Sequence, residues 1–101
     1  MIVTVFRSRV RPEAQQEYLQ WLGRIAALAK TMPGYISHKG FAAEDGERVT
    51  IVEFESEEAQ RAWRLHPEHA QAQKRGRQDF YSEYRLQICS VLRETLHPAK
   101  K

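Results

Sequence analysis

The apolar residues of this chain repeat first at every second position, then at every third or fourth, return to every second, and pass through the same change once more. Few folds accommodate that order. The stretch "IVTVFRSRV" is rich in β-branched residues and has neither Gly nor Pro, which predicts a strand over residues 2–10. Alternation puts Val3, Val5, Arg7 and Arg9 on one face, and Ile2, Thr4, Phe6, Ser8 and Val10 on the other. Pro12 suits a first helical turn, Glu13 complements its positive end, and Tyr18, Leu22, Ile25, Ala29 and Met32 follow at helical spacing. A helix is expected over residues 12–31, ended by "MPG" because Pro33 disfavours helix at Met32.

"YISHKGFAAEDGERVTIVEFES" then predicts a hairpin over residues 34–55, with Asp45 and Gly46 supplying the positive φ angles of its turn. Ser56 can cap a second helix, with Glu57 and Glu58 in its first turn and Ala59, Ala62 and Trp63 as its apolar stripe. Pro67 has no amide hydrogen, so this helix breaks at His66 and a new segment starts, closing near Gly76. "GRQDFYSEY" is read as a connection, and "YRLQICSVLR" as a last strand with Tyr84, Leu86, Ile88, Ser90 and Leu92 on one face. The order is that of an α+β, ferredoxin-like βαββαβ fold, an antiparallel sheet with its helices on one face. Residues 1–95 are expected to form a single domain and residues 96–101, which carry no core pattern, a flexible tail.

A chain of 101 residues buries only about 60 to 68% of its unfolded surface. The uncovered sheet face would gain by packing on a second copy, so a homodimer through the sheet faces is expected. The single cysteine, Cys89, leaves no internal disulfide framework, and Met1 runs into "IVTVF" without a signal-peptide pattern, so the expected compartment is the cytoplasm. No apolar run is long enough to span a membrane. The net charge of +3 is spread along the chain, which is not the localised stripe of a nucleic-acid binder. "RVTIVEFES" also lacks the glycine and paired rings with which RNA-recognition domains stack bases.

The stretch "AWRLHPEHAQAQKRGR" concentrates the candidate chemistry. His66, Glu68 and His69 offer metal-ligand types, but the Pro67 break disturbs the helical spacing that would aim both imidazoles at one point, so no metal site is assigned. Acid/base use asks less, since one imidazole within reach of a substrate can exchange a proton. His66, fixed by the break close to Trp63, is the first candidate and His69 the alternate. Trp63 among alanines can be a core anchor or a pocket wall. Arg7, Lys74, Arg75 and Arg77 could steady a developing anion, and Phe80, Tyr81 and Tyr84 could pack a hinge or reach a pocket. Cys89 in mid-strand is read as a small core residue.

These features together resemble the antibiotic biosynthesis monooxygenase family of the dimeric α+β barrel superfamily. The resemblance spans residues 2–93 and rests on "RPEAQQEYLQWL", "PGYISHKGF", "EDGERVTIVEFESEEAQRAWRLHPEH" and "GRQDFYSEYRLQIC". It implies a dimeric barrel and oxygenation of a small phenol or hydroquinone-like aromatic by molecular oxygen, without a cofactor. On that pattern Trp63 walls the pocket, His66 or His69 moves the proton, and Arg7, Arg77, Phe80 or Tyr81 hold the substrate or its anion. Haem-degrading relatives carry a haem-ligating His ten positions after the helix Trp, where Gln73 stands here, and an Asn on the first strand, where Arg7 and Ser8 stand. A dimeric protein that binds a small molecule, or serves in stress, without turnover is the alternative from another class.

Overall fold

A computed structural model describes residues 1–97 of the chain. Strand β1 (Ile2–Val10) leads through a short 3-10 turn (Pro12–Ala14) into helix α1 (Gln15–Thr31), and strands β2 (Tyr35–Ala42) and β3 (Arg48–Phe54) form the hairpin. Helices α2 (Glu57–Leu65) and α3 (Pro67–Arg75) follow, then a π-helical turn (Gly76–Phe80) and strand β4 (Tyr81–Ser90). The strands lie in the order β2-β3-β1-β4, and every neighbouring pair is antiparallel. The expected ferredoxin-like α+β arrangement is the one observed.

Local chemistry accounts for most boundaries. Ser56 accepts the Ala59 backbone N–H through its hydroxyl at 3.1 Å and starts α2. His66 ends α2 in an extended conformation, and Pro67 at the first position of the next helix turns the break into a start. In the hairpin only Gly46 has a positive φ, of 93°. Asp45, expected to share that conformation, instead uses its carboxylate to accept the Glu47 N–H at 3.1 Å.

The end of the chain departs from expectation. Residues 76–80, read as a connection, continue α3 as a π turn, and β4 begins at Tyr81 and ends at Ser90, several residues earlier than predicted. Leu92 therefore lies beyond the sheet and is 91% exposed. Gly76 is not a left-handed helix cap, since its backbone is right-handed helical. It is needed because a Cβ there would stand 2.4 Å from the Tyr81 ring. Of the expected tail, residues 98–101 lie outside the described residues.

The helix-side face of the sheet carries Thr4, Phe6 and Ser8 of β1, Thr50, Val52 and Phe54 of β3, and Tyr84 and Leu86 of β4, in register across the strands. Two core clusters form against it. Ala29, Val52, Phe54 and Trp63 make one, and Ala14, Tyr18 and Phe80 the other. The opposite face has Val3, Val5, Val49 and Ile51 at its centre, and Phe41 beside them is exposed. Cys89, expected in the core, is exposed on this open face, paired across from Val3. No helix among the described residues is long and apolar enough to cross a membrane.

Candidate functional site

The helical layer and the sheet do not close completely on each other. A cavity of about 210 Å³ remains between them, and its lining draws on both core clusters, with Val52 and Trp63 from one and Tyr18 and Phe80 from the other. Phe6, Leu22, Ile25 and Leu86 add apolar wall, so an aromatic or aliphatic ligand would lose little by leaving water.

Against this apolar background a few polar atoms stand without partners. The spacing of Gln60, Trp63 and Arg64 on α2 turns all three toward the cavity. Trp63 packs its ring 5.4 Å from that of Phe54, yet its buried Nε1 has no hydrogen-bond acceptor. The Thr4 hydroxyl, on the sheet wall of the same cavity, is also buried and unpaired. Leaving such a group unsatisfied costs about 1–3 kcal/mol. With the buried, unpaired Nε of Arg64, three orphaned polar groups belong to residues of one lining, and an oxygen-bearing ligand would satisfy such donors.

His69 joins them from α3. Its Nδ1 lies 3.2 Å from the backbone carbonyl oxygen of Trp63. A carbonyl can only accept, so Nδ1 carries the hydrogen and Nε2 is left as a bare acceptor. Burial is the main reason that the imidazole pKa falls from 6.5 to about 4; the Trp63 carbonyl opposes the shift, and Arg64 and His66 add to it. The ring is therefore neutral near pH 7 and lies 4.2 Å from the indole of Trp63, centroid to centroid.

The π turn supplies the other end of the lining. Phe80 is buried there against Tyr18, and Arg77 is exposed, which places it at the rim. Tyr81 sits on Gly76, and its burial raises the phenol pKa, so the group remains an O–H donor at neutral pH. Beside it Arg48 donates from Nε to the Tyr18 hydroxyl at 3.3 Å.

The structure thus brings together Trp63, His69, Arg77, Phe80 and Tyr81. It places the remaining two sequence candidates elsewhere. His66 caps α3, its Nδ1 accepting the Glu68 backbone N–H at 3.1 Å, and it does not line the cavity. Arg7 lies on the open sheet face, where it binds the Glu47 carboxylate through two hydrogen bonds of 2.9 and 3.1 Å. Arg75 is likewise occupied, by Glu17 and Asp79, and stacks on Phe80. Sequence reading missed Thr4, His38 and Gln60. The alternation of β1 and the spacing of α2 contained the signal for the first and last, and nothing in the local pattern pointed to His38.

An antiparallel α+β sheet with helices on one face and an aromatic, sparsely polar cavity beneath them defines a ferredoxin-like α+β domain. Within it, residues 1–75 match the family described as antibiotic biosynthesis monooxygenase, and the chain belongs to that family. It is 30% identical over 92 residues to the uncharacterized protein YqjZ of Bacillus subtilis, a match that covers 91% of this chain and 81% of that protein. Among solved structures it resembles Rv0793 of Mycobacterium tuberculosis, with 18% identity and a TM-score of 0.83 over 94% of this chain and 98% of that one. It also resembles a variant of SnoaB, a cofactor-independent oxygenase from Streptomyces nogalater, with 19% identity and a TM-score of 0.78 over 92% and 94% of the two chains. At these identities the two structures establish a shared fold alone.

Proposed function

We propose that the protein is a cofactor-independent monooxygenase acting on a small phenol or hydroquinone-like compound with molecular oxygen. One observation carries this reading: a neutral imidazole with a bare Nε2, on His69, lines the same apolar cavity as the orphaned Trp63 Nε1–H and Thr4 hydroxyl. Such a cavity suits a ring that bears an acidic hydroxyl. Nε2 of His69 takes the phenolic proton, and the Trp63 and Tyr81 donors stabilise the anion while apolar walls keep water out. The electron-rich ring then reduces dioxygen directly. One oxygen atom stays on the ring carbon as a carbonyl, and the other leaves as water with the phenolic hydrogen and the hydrogen of that carbon, so the phenol becomes a quinone. SnoaB, a cofactor-independent oxygenase of the same fold, supports the chemistry by analogy.

The cavity belongs to a homodimer in this reading, formed by the open sheet faces through Val3, Val5, Val49 and Ile51. The Arg7–Glu47 and Arg9–Asp45 pairs flank that patch and keep its edge charged without leaving an isolated ion.

A second reading is favoured by the low pKa of His69, about 4, which makes it a weak base. On that reading the same cavity holds an aromatic ligand without turnover. Oxygen consumption by the purified protein, with a panel of hydroquinones and polycyclic phenols, separates the two. Uptake above the spontaneous rate that is lost in His69→Ala supports the oxygenase. Tight binding without uptake supports the binder.

A further inference from the structure

Residues three apart on a regular strand point to opposite faces of a sheet, so Tyr35 and His38 should not meet. They do. The pairing of β2 with β3 shifts register between Tyr35 and Ser37, and this irregularity returns Tyr35 to the face that His38 occupies. The Tyr35 hydroxyl then lies 2.6 Å from His38 Nδ1. The Tyr35 ring is set edge-on against Phe54 at 6.1 Å, and Gly34, with φ of 84°, makes the turn that delivers it. A side chain at Gly34 would meet the Ala59 Cβ at 2.7 Å, so this corner is tightly defined.

The device serves the cavity. His38 lines it from the sheet, opposite the helical layer that carries His69. With Nδ1 engaged by Tyr35, Nε2 is the nitrogen left for a ligand. The two imidazoles differ in kind. The carbonyl of Trp63 fixes His69 as an acceptor, whereas a tyrosine hydroxyl can either give or take a hydrogen bond. If Tyr35 donates, His38 presents an N–H to a carbonyl or anionic oxygen; if Tyr35 accepts, His38 presents a lone pair to a hydroxyl.

We propose that His38, held by Tyr35, is a specificity-determining residue that reads a second oxygen on the ligand, at the end of the ring system away from His69. The proposal rests on the reading of this cavity as a site for an oxygen-bearing aromatic. It implies selection for compounds with an oxygen at both ends of a fused or single ring over those with one, and tolerance of either a hydroxyl or a carbonyl at the His38 end.

The test is anaerobic binding, followed by calorimetry, of two probes that differ by one oxygen, 1-naphthol and naphthalene-1,4-diol, to the wild type, His38→Phe and Tyr35→Phe. The wild type should prefer the diol by about five- to tenfold, the worth of one added hydrogen bond. His38→Phe should erase the preference while 1-naphthol binds as before. Tyr35→Phe, which keeps the ring packing on Phe54, should weaken the diol alone and by less. If His38→Phe unfolds, His38→Leu, which also has neither donor nor acceptor, carries the same comparison. An unchanged preference, or equal loss for both probes, would overturn the proposal. Binding of neither probe to the wild type would overturn it together with the aromatic reading of the cavity. A selective loss without any oxygen uptake in air would leave His38 its role and remove only the monooxygenase.

Discussion

The imidazole of His69 stands on the backbone of the residue whose side chain it faces: its Nδ1 is 3.2 Å from the carbonyl oxygen of Trp63, and its ring is 4.2 Å from the Trp63 indole. The Pro67 break makes this possible. A continuous helix would commit the Trp63 carbonyl to the N–H four residues on, at Pro67, which has none. The freed carbonyl instead takes the His66 N–H and the His69 imidazole, and so fixes the tautomer at the cavity.

That arrangement makes stability depend on pH in a stated direction. In the unfolded chain a histidine protonates near 6.5, while the folded His69 resists until about 4. Between these values the unfolded state holds more protons, so stability is full above about 6.5 and falls as the pH drops toward 4. Allowing for the partial exposure of the ring, the loss is about 2–3 kcal/mol. Urea unfolding of wild type and His69→Gln between those pH values should show the variant without this part of the decline.

Trp63 packs in the core and, on the proposed reading, donates to the ligand, and substitution separates the two. Trp63→Ala empties part of a core cluster and should cost about 3–5 kcal/mol, read as a large drop in thermal midpoint. Trp63→Phe keeps most of the packing on Phe54 and removes only the unpaired Nε1–H. It should lower ligand affinity by about five- to tenfold at little cost in stability, measured by titration with 1-naphthol.

The contact of Gly76 with Tyr81 predicts a non-additive pair. Gly76→Ala puts a methyl group 2.4 Å from the Tyr81 ring and should destabilise the fold by about 1–3 kcal/mol. In a Tyr81→Ala background the same change should cost far less, and a double-mutant cycle by chemical denaturation would measure the difference.

The proposed dimer offers a sharp test on the open face. Ile51→Lys sets a charge beside Val5, its partner in register, and Lys39 flanks the same position. Sedimentation velocity should show a dimer for the wild type and a monomer for this variant. A monomeric wild type would remove the proposed interface.

The order of elements was legible because each carries its own period and its own punctuation: Pro12 and Pro67 open helices, Ser56 caps one, and Gly46 turns the hairpin. What escaped depends on contacts between distant segments. The strand register slip that unites Tyr35 with His38 is set by pairing with β3, and the π turn by the seating of Tyr81 on Gly76. Arg7 shows the limit from the other side. Alternation along β1 already assigned it to the face opposite Phe6, and its partner, Glu47, comes from the hairpin turn 40 residues later. Both imidazoles bond backbone at the break through Nδ1, and the choice between them turned on direction: His69 lines the cavity and His66 does not.

The π turn has one more implication. Arg77, Phe80 and Tyr81 all come from a stretch of six residues after Gly76 begins it, whereas Thr4, Trp63 and His69 are set by the first strand and the two helices before it. One end of the cavity lining is thus encoded in a short stretch of chain separate from those that set the imidazole of His69 and the indole of Trp63. Exchange of residues 76–81 in a duplicated gene would reshape that end of the cavity and leave the imidazole and indole in place.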